Sequence, residues 1–380
     1  MEGSGEEEVL LMRRGPLRLA ATLLLLAAAC TPSGTTSGSA SPAATADIRR
    51  AKLDIAYTAF VDLDVHKPTS RQALQAMIDA LKSEARSSGG KDDFPALDFQ
   101  DSTETELADF KKFADAAQAW ALRNPQLSPD RIADSAIAAM IAVAPDCHTS
   151  YVNKSRQVFR SRPESVSGTG PQVPSGRQVF GPDGNGLQAR ILASGVAYVT
   201  FATWAVNGTY RIVDELRKAL DAAVAAGARA WLFDLRGNPG GNGADAAASF
   251  FLNGEATLKV EVKTGNAGTA TANKDLRLPP AYQLPIAIVL NGRSASATEV
   301  FALSLKENKR ATLVGATTVG CLGAETPTAL SDGSEIDVAV EEYIGAQTGS
   351  AFNNKGVPPD VQSDDASAVD KATAILLAQH

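Results

Sequence analysis

Residues 230–241 read Ala-Trp-Leu-Phe-Asp-Leu-Arg-Gly-Asn-Pro-Gly-Gly, and residues 286–299 read Ile-Ala-Ile-Val-Leu-Asn-Gly-Arg-Ser-Ala-Ser-Ala-Thr-Glu. Each opens as a short, unbroken apolar run, the pattern of a strand covered on both faces. Each then turns on small residues and leads into a helical stretch. Two such strand–turn–helix units in one chain predict an α/β core with mostly parallel strands.

The surrounding sequence extends this pattern. Residues 195–203 read as a strand. Residues 209–226 form an amphipathic helix with Ile212, Leu216 and Leu220 on one face and Gly227 as its C-cap. Helices are expected at 244–252 and 297–308, a short strand at 311–314, and a later, partly exposed strand at 335–344. Upstream, residues 47–152 read as helical. Leu53, Tyr57 and Phe60 share a face, Thr69-Ser-Arg-Gln caps a helix over 73–86, and two more helices fit 106–123 and 128–143. Residues 153–186, rich in Ser, Gly, Pro and Arg, read as a linker, which leaves 187–380 as the core.

Residues 1–29 have the pattern of an export signal. Arg13, Arg14 and Arg18 precede an apolar run over 19–29 that is too short to span a bilayer. The run ends in Leu26-Ala-Ala-Ala-Cys30, which resembles a bacterial lipobox and implies cleavage and lipidation at Cys30. Four glutamates before Met12 suit a signal poorly, so translation from Met12 is the alternative. Residues 30–46 lack charge until Asp47 and lack aromatics, the composition of a flexible tether. The expected location is therefore the cell envelope, anchored to a membrane by lipid. The net charge of −7 without a basic tract argues against nucleic acid as a partner. Three scattered histidines and no clustered cysteines suggest no metal, and no cofactor is expected.

Ser296 can act as a simple helix cap, since Ser296-Ala-Thr-Glu299 is a capping box. It also stands where a buried strand meets a helix N-terminus, which favours developing negative charge. The N–H of Ala297 is then a natural oxyanion donor, and the backbone of Gly237–Gly241 can supply a second. The spacing of that glycine turn matches neither the dinucleotide fingerprint nor the P-loop. A serine nucleophile needs a base. His380 is terminal and His66 lies in a polar helix end, so His148, in Asp146-Cys-His-Thr149, is the strongest candidate.

These segments resemble the S41 family of serine peptidases, the tail-specific processing proteases with their tricorn-core and interphotoreceptor-retinoid-binding-protein-like relatives. The likeness rests on Asp234-Leu-Arg-Gly-Asn-Pro-Gly-Gly241, Ser294-Ala-Ser-Ala-Thr-Glu299, Gly356-Val-Pro-Pro-Asp360 and Asp146–Thr149, and spans about residues 130–365. It implies a crotonase-like core, Ser296 as nucleophile with the N–H groups of Gly240, Gly241 and Ala297 as oxyanion hole, and peptide or unfolded protein as substrate.

Two departures qualify the resemblance. Processing proteases of the family use a serine–lysine dyad, but Cys321 occupies the lysine's place in Val319-Gly-Cys-Leu-Gly323. Lys306 and Lys309 lie along or just past the following helix and cannot replace it. The tricorn-like branch uses serine and histidine with a carboxylate, which fits His148. The family's glutamate aligns near Asn353, which can orient but not charge-stabilise the imidazole, so Glu325 ranks first as that carboxylate, ahead of Glu341, Glu342 and Asp146, because its loop sits beside the site in relatives. The PDZ-like module of relatives is also missing, as only 45 residues separate Thr149 from Gly195. In the exported compartment, Cys147 and Cys321 form either a disulfide that pins the His148 loop or two separate thiols. The competing functional readings are a lipoprotein of the same fold that binds peptides or hydrophobic ligands without cleaving them, and a crotonase-type acyl-CoA enzyme, which export disfavours.

Overall fold

The computed structural model describes residues 47–162 and 167–379. The expected signal peptide, Cys30 and the tether lie outside these residues. No helix of the described part is long and apolar enough to cross a membrane.

Four helices open the fold: α1 (Arg50–Leu63), α2 (Ser70–Ser87), α3 (Glu106–Leu122) and α4 (Pro129–Ile141). Their starts follow the caps legible in the sequence. Thr69 Oγ1 accepts from the Gln72 N–H at 3.2 Å and Gln72 Oε1 accepts from the Thr69 N–H at 2.9 Å. Ser128 Oγ accepts from the Arg131 N–H, two residues after the Pro129 that begins α4.

Strands β1 (Ser150–Val152), β2 (Val158–Arg160), β3 (Arg177–Phe180), β4 (Gln188–Ile191) and β5 (Val196–Thr200) follow. The stretch read as a linker over 153–186 thus carries β2 and β3, each built into a sheet. A small ribbon, β6 (Val206–Asn207) with β7 (Tyr210–Arg211), leads into α5 (Ile212–Ala225). Next come β8 (Ala230–Asp234), α6 (Ala244–Ser249), the hairpin β9 (Ala256–Val262) and β10 (Gly265–Thr271), then β11 (Ile286–Leu290), α7 (Ala297–Glu307) and β12 (Ala311–Gly315). The chain closes with β13 (Gly323–Ala329), β14 (Glu335–Gly345), β15 (Val361–Gln362) and α8 (Ala368–Leu377).

Seven strands form one sheet in the order β15-β12-β11-β8-β5-β4-β3. It is parallel from β15 to β5 and antiparallel beyond, so the expected parallel core is observed. Strands β5, β8 and β11 are buried at every residue because helices cover both faces. On one face, Leu216, Leu220, Ala247, Phe301 and Leu305 pack against Val199, Trp231, Phe233 and Ile288. On the other, Ala368, Ala372 and Leu376 of α8 cover Tyr198, Leu232, Val289 and Val314.

A second sheet runs β10-β9-β14-β1-β2, with β13 also paired to β14. The four N-terminal helices bury their apolar stripes on it, where Phe60, Met77, Phe113 and Ile137 join Tyr151, Ile336 and Val338 in one cluster. The helical segment therefore shares a core with strands from near the other end of the chain.

One buried cation joins these layers. Lys52 of α1 is 1% exposed and reaches Asp134 of α4 at 2.8 Å and Asp332, in the turn between β13 and β14, at 3.0 Å. Burial disfavours its charge, but the hydrogen bonds it donates to Asp134 and Asp332, with the neighbouring Tyr151, outweigh burial and raise its pKa. Removing one member of such a set strands the others. Lys52→Ala should destabilise the fold by about 3 kcal/mol, read from the shift in urea unfolding midpoint at unchanged slope.

Candidate active site

Pairing of β8 with β11 sets Ile286 beside Trp231 and Val289 beside Asp234, so the turns after the two strands emerge side by side. In α/β sheets this carboxyl edge is where ligands bind. A buried ion pair fixes the first turn. Arg236 lies 2.7 Å from Asp234, and Tyr198 donates its hydroxyl to the same carboxylate at 3.1 Å. Asn238 then bridges the turns. Its carbonyl accepts from the Ala295 N–H at 3.0 Å, and its side-chain oxygen accepts from the Gly240 N–H at 3.0 Å and the Thr298 hydroxyl at 2.9 Å.

The glycines are required by close approach. Gly240 has φ +104°, and a Cβ there would stand 2.6 Å from Ser296 Cβ and 2.9 Å from the Ala297 nitrogen. Gly241, at φ +133°, presses on the Trp204 carbonyl. The expected oxyanion donors separate on this geometry. The Gly240 N–H is already bonded to Asn238, whereas those of Gly241 and Ala297 have no acceptor among the described residues.

Ser296 itself has φ 53° and ψ −121°, a strained conformation for a residue with a side chain. Its neighbour Ser294 is buried, donates to the Leu235 carbonyl at 2.9 Å and accepts from the Asn291 N–H. Of the two serines, only Ser296 lines the open cleft.

The carboxylate of Glu299 is wholly buried in α7. It accepts from the N–H groups of Ser296 at 2.9 Å, Gly320 at 2.7 Å and Cys321 at 2.7 Å, and from the Thr318 hydroxyl. Desolvation pushes its pKa up despite these donors. Sequence reasoning saw only the capping box. The link to residues 318–321 is a tertiary contact with no local signal.

His148 arrives from the loop after α4. A disulfide joins Cys147 to Cys321 across 174 residues, with Cα atoms 5.8 Å apart. Cys321 is thus bonded where a lysine was sought, and Lys306 points away, to Asp360 at 3.0 Å. The structure does not favour Glu325 as the orienting carboxylate. Glu325 is half-exposed and lies 4.0 Å from His148 Nε2, whereas buried Asp146 lies 3.3 Å from His148 Nδ1 and also accepts from the His148 N–H at 2.6 Å. Glu341 is engaged by the Tyr343 hydroxyl at 2.9 Å, and Glu342 makes no hydrogen bond to His148.

Behind Asp146 stands a network the sequence did not announce. Asn353 Nδ2 donates to Asp146 Oδ2 at 2.6 Å. His66 Nε2 lies 3.6 Å from that oxygen, while His66 Nδ1 meets Asp64 at 3.0 Å. Its hydrogen bond to Asp64 raises the His66 pKa against the opposing effect of burial. Burial works to raise the Asp146 carboxyl, yet hydrogen bonding to His148, its charge and the Asn353 amide hold it down to about 2. Asp146, Cys147 and His148 also offer potential metal ligands within 4.8 Å of one another, but the Cys147 sulfur is taken by the disulfide.

Ser296, His148, Gly241, Ala297 and Glu325 line one cleft of about 540 Å³, floored by Leu258, Val300 and Tyr343. Among the described residues no hydrogen bond joins Ser296 to His148.

Residues 195–363 match the sequence model of peptidase family S41. The carboxy-terminal processing protease CtpA of Bacillus subtilis is 31% identical over 153 residues, which is 40% of this chain and 32% of that protein. A carboxyl-terminal-processing protease of Synechocystis is 33% identical over 169 residues, 43% and 37% of the two chains. The chain thus spans about a third of the length of these relatives. Among solved structures, a protein of Parabacteroides merdae superposes with a TM-score of 0.51 at 17% identity, over 82% of this chain and 98% of its own. A lipoprotein from Streptococcus agalactiae gives 0.50 at 16% identity, with the same coverages. These two likenesses concern the fold.

Two outcomes test this arrangement. Because the folded Asp146 carboxyl lies below its ordinary value of 3.8, its contribution to stability is present above that value and lost as pH falls towards 2. The unfolding midpoint of Asp146→Asn should therefore fall less steeply than the parent's between about pH 5 and about pH 2. Replacing both Cys147 and Cys321 by serine opens the long covalent loop and should cost about 2–5 kcal/mol in denaturant unfolding.

Proposed function

We propose that this chain, whose residues 195–363 match the sequence model of peptidase family S41, is an exported, lipid-anchored serine peptidase that works through a Ser296–His148 pair. The observation that carries the reading is the strained Ser296. A serine held at positive φ at a helix start, in the cleft that also holds His148 and two unbonded N–H groups, is a costly arrangement for a mere cap.

In the proposed mechanism, His148 Nε2 takes the proton from Ser296 Oγ as that oxygen attacks the carbonyl carbon of a peptide bond. The resulting oxyanion accepts from the N–H groups of Gly241 and Ala297, at the positive end of α7. His148 passes its proton to the departing amine. Water then attacks the acyl-enzyme, with His148 again as base, and frees Ser296. Asp146 holds the imidazole through Nδ1 and stabilises its cationic form. Glu325, facing Nε2 from the cleft rim, is placed to meet substrate rather than to orient the ring. The substrate is a peptide or an unfolded protein, and the N-terminal tether would hold the cleft near a membrane surface.

Cleavage of casein by the full chain tests this proposal. Ser296→Ala and His148→Ala should each lose at least about 10³-fold in kcat. Asp146→Asn should lose about 10²–10⁴-fold, and Glu325→Gln less than about tenfold. A fluorophosphonate should label the parent but not Ser296→Ala. Equal cleavage by parent and Ser296→Ala would sink the assignment.

A further inference from the structure

The chain carries one short unit twice, as Asp64-Val65-His66 and as Asp146-Cys147-His148. The two fold alike. In each, a carboxylate oxygen accepts from the backbone N–H of the histidine two residues on, at 2.8 Å for His66 and 2.6 Å for His148. The same oxygen lies 3.0 Å from Nδ1 of His66 in the first unit and 3.3 Å from Nδ1 of His148 in the second. The units also meet in series. His66 Nε2 stands 3.6 Å from Asp146 Oδ2, the oxygen that His148 leaves free. Only the second unit enters the reaction proposed above.

Charge explains why the first unit needs its ring. Asp64 is wholly buried, and its Oδ2 has no hydrogen-bond partner among the described residues. A carboxylate so placed calls for a cation beside it. The bond to Asp64 and the charges of Asp64, Asp146 and Glu342 all favour the cationic form of the His66 ring, against burial. Three carboxylates thus face one imidazole, from the end of α1, from the loop after α4 and from β14. The further charges that act on Glu342, Glu261 of β9 and Lys355, oppose each other in sign. Without the ring, the three carboxylates repel one another. Asp146 is the one able to give way. Asp64 is tied directly to α1, and Glu342 is paired on both sides in its sheet. Asn353 Nδ2 closes the group, 2.6 Å from Asp146 Oδ2 and 3.4 Å from His66 Nε2.

We propose that His66 is a positioning residue for this reaction: held by Asp64, it pins Asp146 from behind and, through Asp146, sets the His148 ring towards Ser296. The inference rests on the Ser296–His148 reading and adds to it a residue that touches neither substrate nor the reacting atoms. His66 does not line the cleft that holds Ser296. Its loss therefore leaves substrate binding intact and misaligns the base, and small misplacements of a reacting group are costly in rate. The effect belongs in kcat rather than in KM.

The test is a double-mutant cycle on casein cleavage by the full chain. His66→Gln should lower kcat about tenfold and leave KM within about twofold. In an Asp146→Asn background the same substitution should cost less than about twofold, because the group His66 acts on is gone. If His66→Gln does not fold, Asp64→Asn, which releases the ring, takes its place in the cycle with the same expected pattern. No loss in the single variant, a loss carried by KM, or an equal loss in both backgrounds overturns the proposal while leaving the Ser–His peptidase standing. Ring ¹⁵N–¹H spectra supply a second readout, since the chain has only three histidines. The His148 Nδ1 resonance, assigned by its loss in His148→Ala, should move in His66→Gln. If the parent cuts no casein, the catalytic reading fails and this resonance decides the role of His66 alone. A displaced signal sustains the positioning of His148 by His66, and an unmoved one overturns it.

Discussion

The buried carboxylate of Glu299 is the constraint on which the site's geometry depends. A carboxylate withdrawn from water must be fully hydrogen-bonded or its burial is prohibitive. Here three backbone N–H groups and a hydroxyl meet that demand, and they come from two parts of the chain. Satisfying one side chain therefore locks the backbone of Ser296 to the segment 318–321. Thr318 extends the lock by accepting from the Val357 N–H at 2.7 Å, which seats the Gly356-Val-Pro-Pro turn on the same segment. The strain in Ser296 persists because its neighbours over-determine it: Gly240 presses on its Cβ, Glu299 holds its N–H, and α7 is buried along its length from Ala297 to Leu305.

The His148 side is assembled independently and brought in by covalent and polar ties. Its loop hangs between α4 and β1, elements that belong to the helical layer and the second sheet. Nothing in the seven-stranded sheet would position it. The disulfide to Cys321, the Asn353–Asp146 bond and the Asn354 amide on the Pro145 carbonyl supply that positioning. All three end on segments that Glu299 and Thr318 already organise. The two halves of the proposed pair are thus referred to one frame, although nearly 150 residues separate them in sequence.

Much of this was legible before the structure. Unbroken apolar runs such as 230–235 and 286–290 identify strands covered on both faces, and Thr69 and Ser128 announce helix starts, because these signals are local. The Ser296 turn and the glycine turn were legible for the same reason. The hairpin over 256–271 was not: strand β10, Gly-Asn-Ala-Gly-Thr-Ala-Thr, carries almost no apolar face and is exposed along most of its length. Residues 153–186 looked like a linker because edge strands such as β2 and β3 bury little and need little hydrophobicity. The placing of Asp146 against His148 was not legible for a different reason. Sequence places Asp146 two residues from His148, a spacing at which side chains do not face each other in a helix. The loop instead folds the carboxylate back on both the ring and the backbone N–H of His148.

The exchange of a lysine position for a cysteine connects these observations. A lysine at residue 321 would bring a base to Ser296 from the core itself, and the helical layer would then be dispensable to the chemistry. Cys321 instead bonds the loop that carries His148, so the same position now ties the proposed base in from the other layer. That makes the proposed site a property of the whole described fold rather than of the α/β core alone. The helical layer contributes His148 and Asp146, and behind them, just past the end of α1, His66 held by Asp64; no local pattern foretells the approach of His66 to Asp146. The cluster of Phe60, Met77, Ile137 and Val338 that seats this layer on the second sheet is therefore also what holds the proposed base in place. On this arrangement, loosening that distant core disturbs the cleft before it unfolds the sheet that carries Ser296.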